Sequence, residues 1–483
     1  MKDNRPIYIL LHRFRQHRPD KQVLLLAAIC TVVFVSTAFY YVYSSPPTGD
    51  EPHFLVISQT LLKYHSLNVM LDYTHGDYRT FYPTNLAPHV SYSASGQLLP
   101  LHSIGAPILS LIPYYFWGRL GAVLFISCIA VLIILNIYWL LLTMGISRKY
   151  ALMVSLAYAL ASPIYMYSHL TFIEPIGALL CIYVLRKVLQ EGINTADILI
   201  SSLLLGILPW IHIRFALFEI VLFGAFLYRL YASNKFKNLK YYVYFLLPVV
   251  ALFVLFEIYN LKVWGTLNPT INEVNDIHGN SKPFAALPFR AILGLLFDQE
   301  FGLFISFPVF IFLFMGIVLA MKKQFTRYNL LLLALSLPYL LICTTFRIWS
   351  GGWSPTARFL IVLLPLGSFY MAYALEQLRS ILSSIVFALA MIFGCVYNLL
   401  ALVPSLNSFN DGRGRNRALM QLWLFHHRVT DFLPSMFLPG QNRLFALWIS
   451  AYVVLAVLML YAAKAKAIHL SWSKIRLGEW RAR

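Results

Sequence analysis

Long apolar runs return along this chain at short intervals, and they constrain its fold more than any other feature. Broken at charges and at Pro/Gly clusters, they fall near residues 22–43, 120–144, 151–168, 172–189, 197–210, 213–231, 241–260, 301–321, 328–345, 358–375, 381–403 and 444–463. Runs of about 20 apolar residues match helices crossing a hydrocarbon core ~30 Å thick, and the ~10-residue alternation of a membrane β-barrel is missing. With 59% hydrophobic and 12% charged residues and a mean hydropathy of +0.69, the chain has too few polar residues to cover a soluble globule of its size. The expected class is all-α, a polytopic membrane protein of about twelve transmembrane helices with surface helices in its first outer loop. The Pro-rich stretch 103–118 is expected to lie on the membrane surface or to re-enter it.

Charge orients these spans. The net charge of +19 comes from 38 Lys+Arg against 19 Asp+Glu. In a membrane protein such an excess reflects the positive-inside bias rather than nucleic acid as partner. An even span count puts both termini in the cytoplasm, with basic tails at 1–21 and 464–483 around one membrane domain, 22–463. The first run is too long for a signal-peptide core and lacks a small-residue cleavage pattern, so it is expected to stay as an anchor. Long outer loops are expected at 44–119, 261–300 and 404–443. The inner connections are short, with no glycine-rich phosphate loop and no room for a soluble catalytic domain, which argues against a cytosolic nucleotide. All five cysteines lie in apolar runs without CxxC spacing, so neither disulfides nor zinc are expected.

Nearly every unusual polar cluster falls on the outer side. Asp50-Glu51 follows Pro46-Pro47-Thr48-Gly49, where the prolines stop the first helix and the glycine permits a tight turn. Thr48 or Asp50 could cap a helix from Phe54 to Tyr64, whose stripe of Phe54, Leu55, Ile57, Leu61 and Leu62 suits the bilayer surface. Alternatively one carboxylate of the pair, held against low-dielectric surroundings, acts as a general base. Glu174 lies between two spans in YSHLTFIEP, where an ionisable group at membrane depth marks a functional site or pairs structurally with His169 or Arg214. Trp210-Ile-His-Ile-Arg214 puts His212 and Arg214 on the same rim, as anion ligands or as a helix-connecting ion pair.

Asp298 and Gln299 stand in LFDQEFG, and the turn FRIWSGGWSPTAR joins Arg347, Trp349, Gly351-Gly352, Trp353 and Arg358. The arginines can fork onto a phosphate and the tryptophans offer flat faces to a sugar or anchor in the interfacial belt. From the first loop, Arg79, Tyr82 and His102 complete the candidate substrate- and phosphate-binding set. The basic stretch from Asp411 to Arg428 suits lipid phosphates or anionic headgroups. His426-His427 lacks metal-ligand spacing, since neighbours on a helix point ~100° apart, and no catalytic metal is expected.

Taken together, Gly49-Asp50-Glu51-Pro52 after the first span, the long first loop, Glu174 in the second and the FDQEFG and WSGGWSPTAR stretches resemble the GT-C superfamily of integral membrane glycosyltransferases, near the protein O-mannosyltransferase and aminoarabinose-transferase-like group. The resemblance implies sugar transfer from a polyprenyl-phosphate donor to a lipid, glycan or protein hydroxyl on the extracytoplasmic face of the plasma membrane, with inversion and no cofactor. It assigns the base to Asp50, the second place of the pair to Glu51 and the second-loop acid to Glu174. A base is needed because a hydroxyl is a poor nucleophile, and Arg347, Arg358, Arg214 or Arg79 could stabilise the departing lipid phosphate. Two other readings remain at this level. One is a transporter or flippase of an anionic lipid, with Glu219 and Glu257 inside spans; the other is an O-antigen ligase or polymerase type built on the basic loop 404–443.

Overall fold

In the computed structural model, residues 21–233, 238–276, 287–321, 325–404 and 409–481 are described, with side chains as far as residue 465. Most of the basic N-terminal tail and the side chains of the C-terminal one thus lie outside the described residues.

Each expected apolar run becomes helix, because in hydrocarbon a backbone can satisfy its N–H and C=O groups only within its own segment. Among the described residues, seven helices are long and apolar enough to cross a membrane alone: Lys21–Ser44, Leu111–Thr143, Ile213–Ala232, Leu239–Trp264, Thr326–Thr345, Ile381–Leu402 and Asn442–Ala465. A pair bent by 58°, Arg358–Leu366 with Ser368–Gln377, has the length and apolarity of a broken span or a re-entrant segment. The other runs form shorter or interrupted helices. Arg148–Leu160 continues into Pro163–Tyr167, started by the Ser162 hydroxyl accepting from the Ile164 N–H at 3.1 Å. Glu174–Leu189 and Thr195–Ile211 follow, the latter opened by a capping box between Asn194 and Asp197.

The stretch 103–118 is not a span. Gly105–Leu109 forms a short helix, and the first turns of Leu111–Thr143 are set off from the rest by a break at Gly118 (φ 55°, ψ −136°). Ile112, Tyr115, Phe116 and Trp117 there are more than 60% exposed, as expected of aromatic residues at a membrane interface.

The surface-helix expectation is corrected in one respect. The helix runs Glu51–Tyr64, but Phe54, Leu55 and Ile57 are 5%, 2% and 2% exposed, so its apolar stripe is sealed against the protein instead of the bilayer. It packs on Gly105–Leu109 and on the Leu111–Thr143 helix.

The connections sort onto two ends. At one, Ser147 donates its N–H to Glu376 and Arg229 reaches the carbonyl of Gln190 at 2.5 Å, both in short turns. At the other, the long loops touch one another: Ser91 bridges to Asp276, Ser354 to Asn410, and the Gln299 N–H donates to the Pro434 carbonyl at 2.8 Å. Two small hairpins, Val90–Tyr92 with Leu98–Pro100 and Trp423–Leu424 with His427–Arg428, are the only sheets among the described residues, and both belong to this loop-bearing end. The candidate site lies there.

Candidate functional site

A chain of four charged side chains from four separate segments crosses the loop end. Arg358 donates from a terminal guanidinium nitrogen to Oδ2 of Asp50 at 2.5 Å and from Nε to Oε1 of Glu174 at 2.8 Å. Its other terminal nitrogen donates to the Gly351 carbonyl at 2.8 Å. Arg214 donates to the same Glu174 oxygen at 2.5 Å. The side chain of Glu174 is fully buried, those of Arg358 and Arg214 are 9% and 12% exposed, and that of Asp50, the most open, is 23% exposed. With Asp50 and Glu174 ionised, the charges sum to zero, so the cluster is balanced without a ligand. Two of its buried atoms, Oε2 of Glu174 and Nε of Arg214, have no hydrogen-bond partner among the described residues. An acceptor and a donor left open beside paired charges are unusual, and such places call for a ligand or a function.

Local sequence explains how each group gets there. Pro46-Pro47 end the first helix, and Gly49 turns the chain with φ +61° at a place where a Cβ would stand 2.2 Å from the Trp353 carbonyl oxygen. Only glycine lets the first loop come this close to the Arg358 turn. Asp50 is the N-cap residue of the Glu51–Tyr64 helix but makes no side-chain cap bond; its carboxylate goes to Arg358 instead. Glu174 opens its helix with Pro175 behind it, so the helix dipole favours its negative charge. Arg358 follows Ala357, which sits in the left-handed region at φ 62° although it has a Cβ. Backbone strain of this kind gathers at functional sites. Phe172 supports the guanidinium of Arg358 with its ring centroid 4.5 Å away, and Phe359 lies 4.9 Å from that of Arg214.

Burial by itself would push the Asp50 carboxyl up. The Arg358 guanidinium, together with the His102 and His53 rings, outweighs that and holds it well below the usual carboxylate range. The surrounding histidines are driven the other way by burial: His102 down to about 4, His53 and His212 well below their usual value. They are neutral at pH 7, so each offers one donor and one acceptor.

The other sequence-picked residues divide. Glu51 is fully buried and turned away from Arg358. It accepts from the Tyr41 hydroxyl at 2.6 Å, the Thr171 N–H at 2.8 Å and the Thr48 N–H at 3.2 Å, tying the first helix, the first loop and the second loop together. Arg119 completes this knot by donating to the carbonyls of Val42 and Ser45. His169 packs over the Tyr41 ring in the same region. Asp298 and Gln299 clasp the late loop: Asp298 accepts from the Met436 N–H at 2.7 Å, and the Gln299 side chain donates to the carbonyls of Thr430 and Leu433. Trp349 stacks on Phe437 with centroids 5.8 Å apart. Arg79, Arg347 and Trp353 are exposed and Tyr82 is half-buried; among the described residues none of the four side chains hydrogen-bonds or ion-pairs with the charged chain, although a Cβ on Gly49 would meet the carbonyl of Trp353. In the late loop Arg413 and Arg417 pair with Asp411, and Arg415 pairs with Asp431, so its charge is answered largely within itself.

Two members escaped the sequence reading. His53, three residues after Asp50 on the same helix, stacks on His89 with centroids 3.7 Å apart and meets the Tyr73 hydroxyl through Nδ1 at 2.7 Å. His89 meets His102 at 3.3 Å. The Asp50-x-x-His53 spacing was the available signal, since i and i+3 share a helix face. The rings are stacked instead of converging, and among the described residues no group of three His, Cys, Asp or Glu side chains is placed to hold a metal ion.

No protein-family model and no curated protein matches the chain. Among solved structures it is similar to ArnT from Cupriavidus metallidurans in the apo state, with 17% identity and a TM-score of 0.49 over 92% of this chain and 71% of that one. The same enzyme bound to undecaprenyl phosphate gives 15% and 0.47, over 92% and 72%. The archaeal oligosaccharyltransferase AglB from Archaeoglobus fulgidus, in complex with an inhibitory peptide and a dolichol-phosphate, gives 13% and 0.43 over 81% of this chain; the match spans 56% of that longer protein.

Proposed function

We propose that the chain is a GT-C-type membrane glycosyltransferase that moves a sugar from a polyprenyl-phosphate donor to a hydroxyl acceptor at its loop-bearing end, the extracytoplasmic side, with Asp50 as general base. The observation that carries this reading is the largely buried chain Asp50–Arg358–Glu174–Arg214, whose two arginines can receive a lipid phosphate.

The groups divide the work in a way the chemistry requires. An arriving phosphate competes with Asp50 for Arg358 and finds Nε of Arg214 open. As Arg358 turns to it, Asp50 loses the partner that holds its proton affinity down, and its basicity rises while the donor is bound. The acceptor oxygen then attacks the anomeric carbon, its proton passes to Asp50, and the bond to the phosphate oxygen breaks. One displacement inverts the carbon and needs no covalent enzyme intermediate. Negative charge collecting on the departing lipid phosphate faces Arg358 and Arg214. Glu174 keeps the two arginines together, and Glu51 positions the turn that presents Asp50.

The test is Asp50→Asn, assayed in membranes with a polyprenyl-phosphate-linked sugar and a membrane-extract acceptor. Loss of a general base costs about 10²- to 10⁴-fold in turnover. A folded Asp50→Asn protein that still transfers sugar at the wild-type rate removes Asp50 from the mechanism.

A further inference from the structure

The late loop carries the hairpin Trp423–Leu424 with His427–Arg428, closed at its base by the Val429 N–H on the Leu422 carbonyl at 2.9 Å. Its two-residue turn is Phe425-His426, with φ 48° and 65°. A turn with both central residues in the left-handed region suits the twist of the strands, and asparagine and glycine usually fill it because they tolerate that conformation. Here an aromatic residue takes the most outward place instead. Phe425 is 81% exposed, Trp423 62% and Leu424 49%. Cross-strand partners share a face, so Trp423 lies beside Arg428 and Leu424 beside His427. Both faces of the hairpin therefore show an uncovered apolar residue, and a two-stranded hairpin alone in water is marginal.

Its place in the fold says what covers it. The turn that follows, Val429–Phe432, is fastened to the last crossing helix, where the Trp448 indole N–H donates to the Phe432 carbonyl at 2.8 Å. Trp448 stands six residues after Asn442, about 9 Å along a 24-residue span that is itself about 36 Å long. Against a hydrocarbon core ~30 Å thick, that level is the boundary of headgroups and hydrocarbon, the usual seat of tryptophan. Phe432 and Leu447 are both exposed there, and the His427 ring meets Phe432 at 5.9 Å, so apolar surface runs without a break from the span to the hairpin. Charge agrees with this placement. Residues 411–443 hold five Arg against two Asp. Arg413, Arg415 and Arg417 are answered within the loop, which leaves Arg428 and Arg443 outside any ion pair among the described residues. The Arg428 guanidinium lies 5.6 Å from the centre of the Trp423 ring, a cation and an aromatic side by side.

We propose that this hairpin is a membrane anchor: Trp423, Leu424 and Phe425 enter the leaflet at the loop-bearing end, and Arg428 and Arg443 take the phosphates of anionic headgroups. A bilayer surface supplies apolar cover for both faces of the hairpin at once, favours an aromatic residue in a turn that disfavours one, and pairs the two free arginines. The proposal does not depend on the transferase reading. The loop so anchored also touches the turn that carries Arg358, through the bridge between Asn410 and Ser354.

The experiment uses the full chain in nanodiscs of phosphatidylcholine alone and of phosphatidylcholine with phosphatidylglycerol, wide enough for two copies. A nitroxide is attached at His426→Cys in a Cys128→Ser background, because Cys128 is the exposed native cysteine among the described residues; the labelled background without His426→Cys is the blank. Collisions of the label with oxygen, which gathers in hydrocarbon, are compared with collisions with a water-soluble nickel chelate, and spin-labelled lipids calibrate the depth. We expect the label about 5–10 Å below the phosphates in the anionic discs, the depth of an interfacial apolar face, and nearer the water in the neutral ones. Arg428→Glu should move it outward in anionic discs only, and Phe425→Ser should move it outward in both. These positions lie on a hairpin exposed to its surroundings, so melting temperatures should stay at the wild-type value, and a label at Leu424→Cys repeats the reading at a second site. The proposal is overturned by labels as open to the nickel chelate as a label in water. It is equally overturned by labels shielded from both reagents or broadened by a neighbouring label, which would make a second copy of the chain the occupant. A depth that neither phosphatidylglycerol nor Arg428→Glu changes also overturns it.

Discussion

Changing Glu174 to Gln probes the charge balance at the centre of the molecule. In the native protein one oxygen of Glu174 receives both Arg214 and Arg358, at 2.5 and 2.8 Å, and Asp50 supplies the second negative charge. Glutamine keeps the shape but leaves two buried guanidinium groups facing a single carboxylate. Breaking a buried pair by removing one partner costs about 3–5 kcal/mol, because the remaining charge is uncompensated in a low dielectric. The empty variant should therefore melt well below wild type. A lipid phosphate reverses the balance, since its charge takes the place of the one removed. At about 4 Å and an effective dielectric of ~20 a unit charge interacts by about 4 kcal/mol, an upper bound that rearrangement reduces. The expected result is at least tenfold tighter binding of undecaprenyl phosphate and a larger rise in melting temperature on adding it than in wild type. Thermal unfolding in detergent or nanodiscs, with and without the lipid, reads both quantities. A variant as stable as wild type, or one that binds lipid phosphate more weakly, would refute the idea that Glu174 holds the arginines ready for an anion.

The same geometry makes further predictions. Glu51→Gln should lower stability by about 1–3 kcal/mol through its bonds to Tyr41, Thr48 and Thr171. In folded protein it should lose far less turnover than Asp50→Asn, which parallel melting and rate measurements will show. Gly49→Ala brings a Cβ to 2.2 Å from the Trp353 carbonyl at a positive φ, so the turn must shift and carry Asp50 with it. Displacements near 1 Å can cost on the order of 10² in rate, so steady-state kinetics on the folded variant should show a fall of that order. Burial raises the carboxyls of Glu300 to about 7 and Asp298 to about 6, above their unfolded values. The folded state then binds more protons than the unfolded state between roughly pH 4 and 7, so stability should rise as pH falls through that window. Glu300→Gln should flatten the slope, and an unchanged slope in melts across that range would exclude Glu300 as a source.

Much of the site could be read from residue type and position alone. Asp50, Glu174, Arg214 and Arg358 stood out because charge is rare in this chain and each lies at the end of an apolar run. The histidine pair His53 and His89 did not: His53 stands three residues after Asp50, but its partner His89 is 36 positions further on, and their stacking depends on a loop folding back. The sequence also assigned the stripe of the Glu51–Tyr64 helix to the bilayer. An apolar stripe says only that water is excluded, and in a membrane protein lipid and neighbouring helices are equally apolar, so packing decides which of them covers it.

The residues by themselves determined that the apolar runs become helices and where along the chain they fall, while their division into full-length, broken and short helices came from the structure. Hydrocarbon allows a crossing backbone no partner but its own, so the length and spacing of apolar runs carry that information locally. Only the tertiary structure decided which charges meet. Asp50 and Arg358 are 308 positions apart, and Glu174 and Arg358 184 apart, and nothing in either neighbourhood specifies the other. Their pairing follows from which loops gather at one end of the bundle and from a glycine that lets two of them touch. Once there, burial makes leaving any of them unpaired expensive.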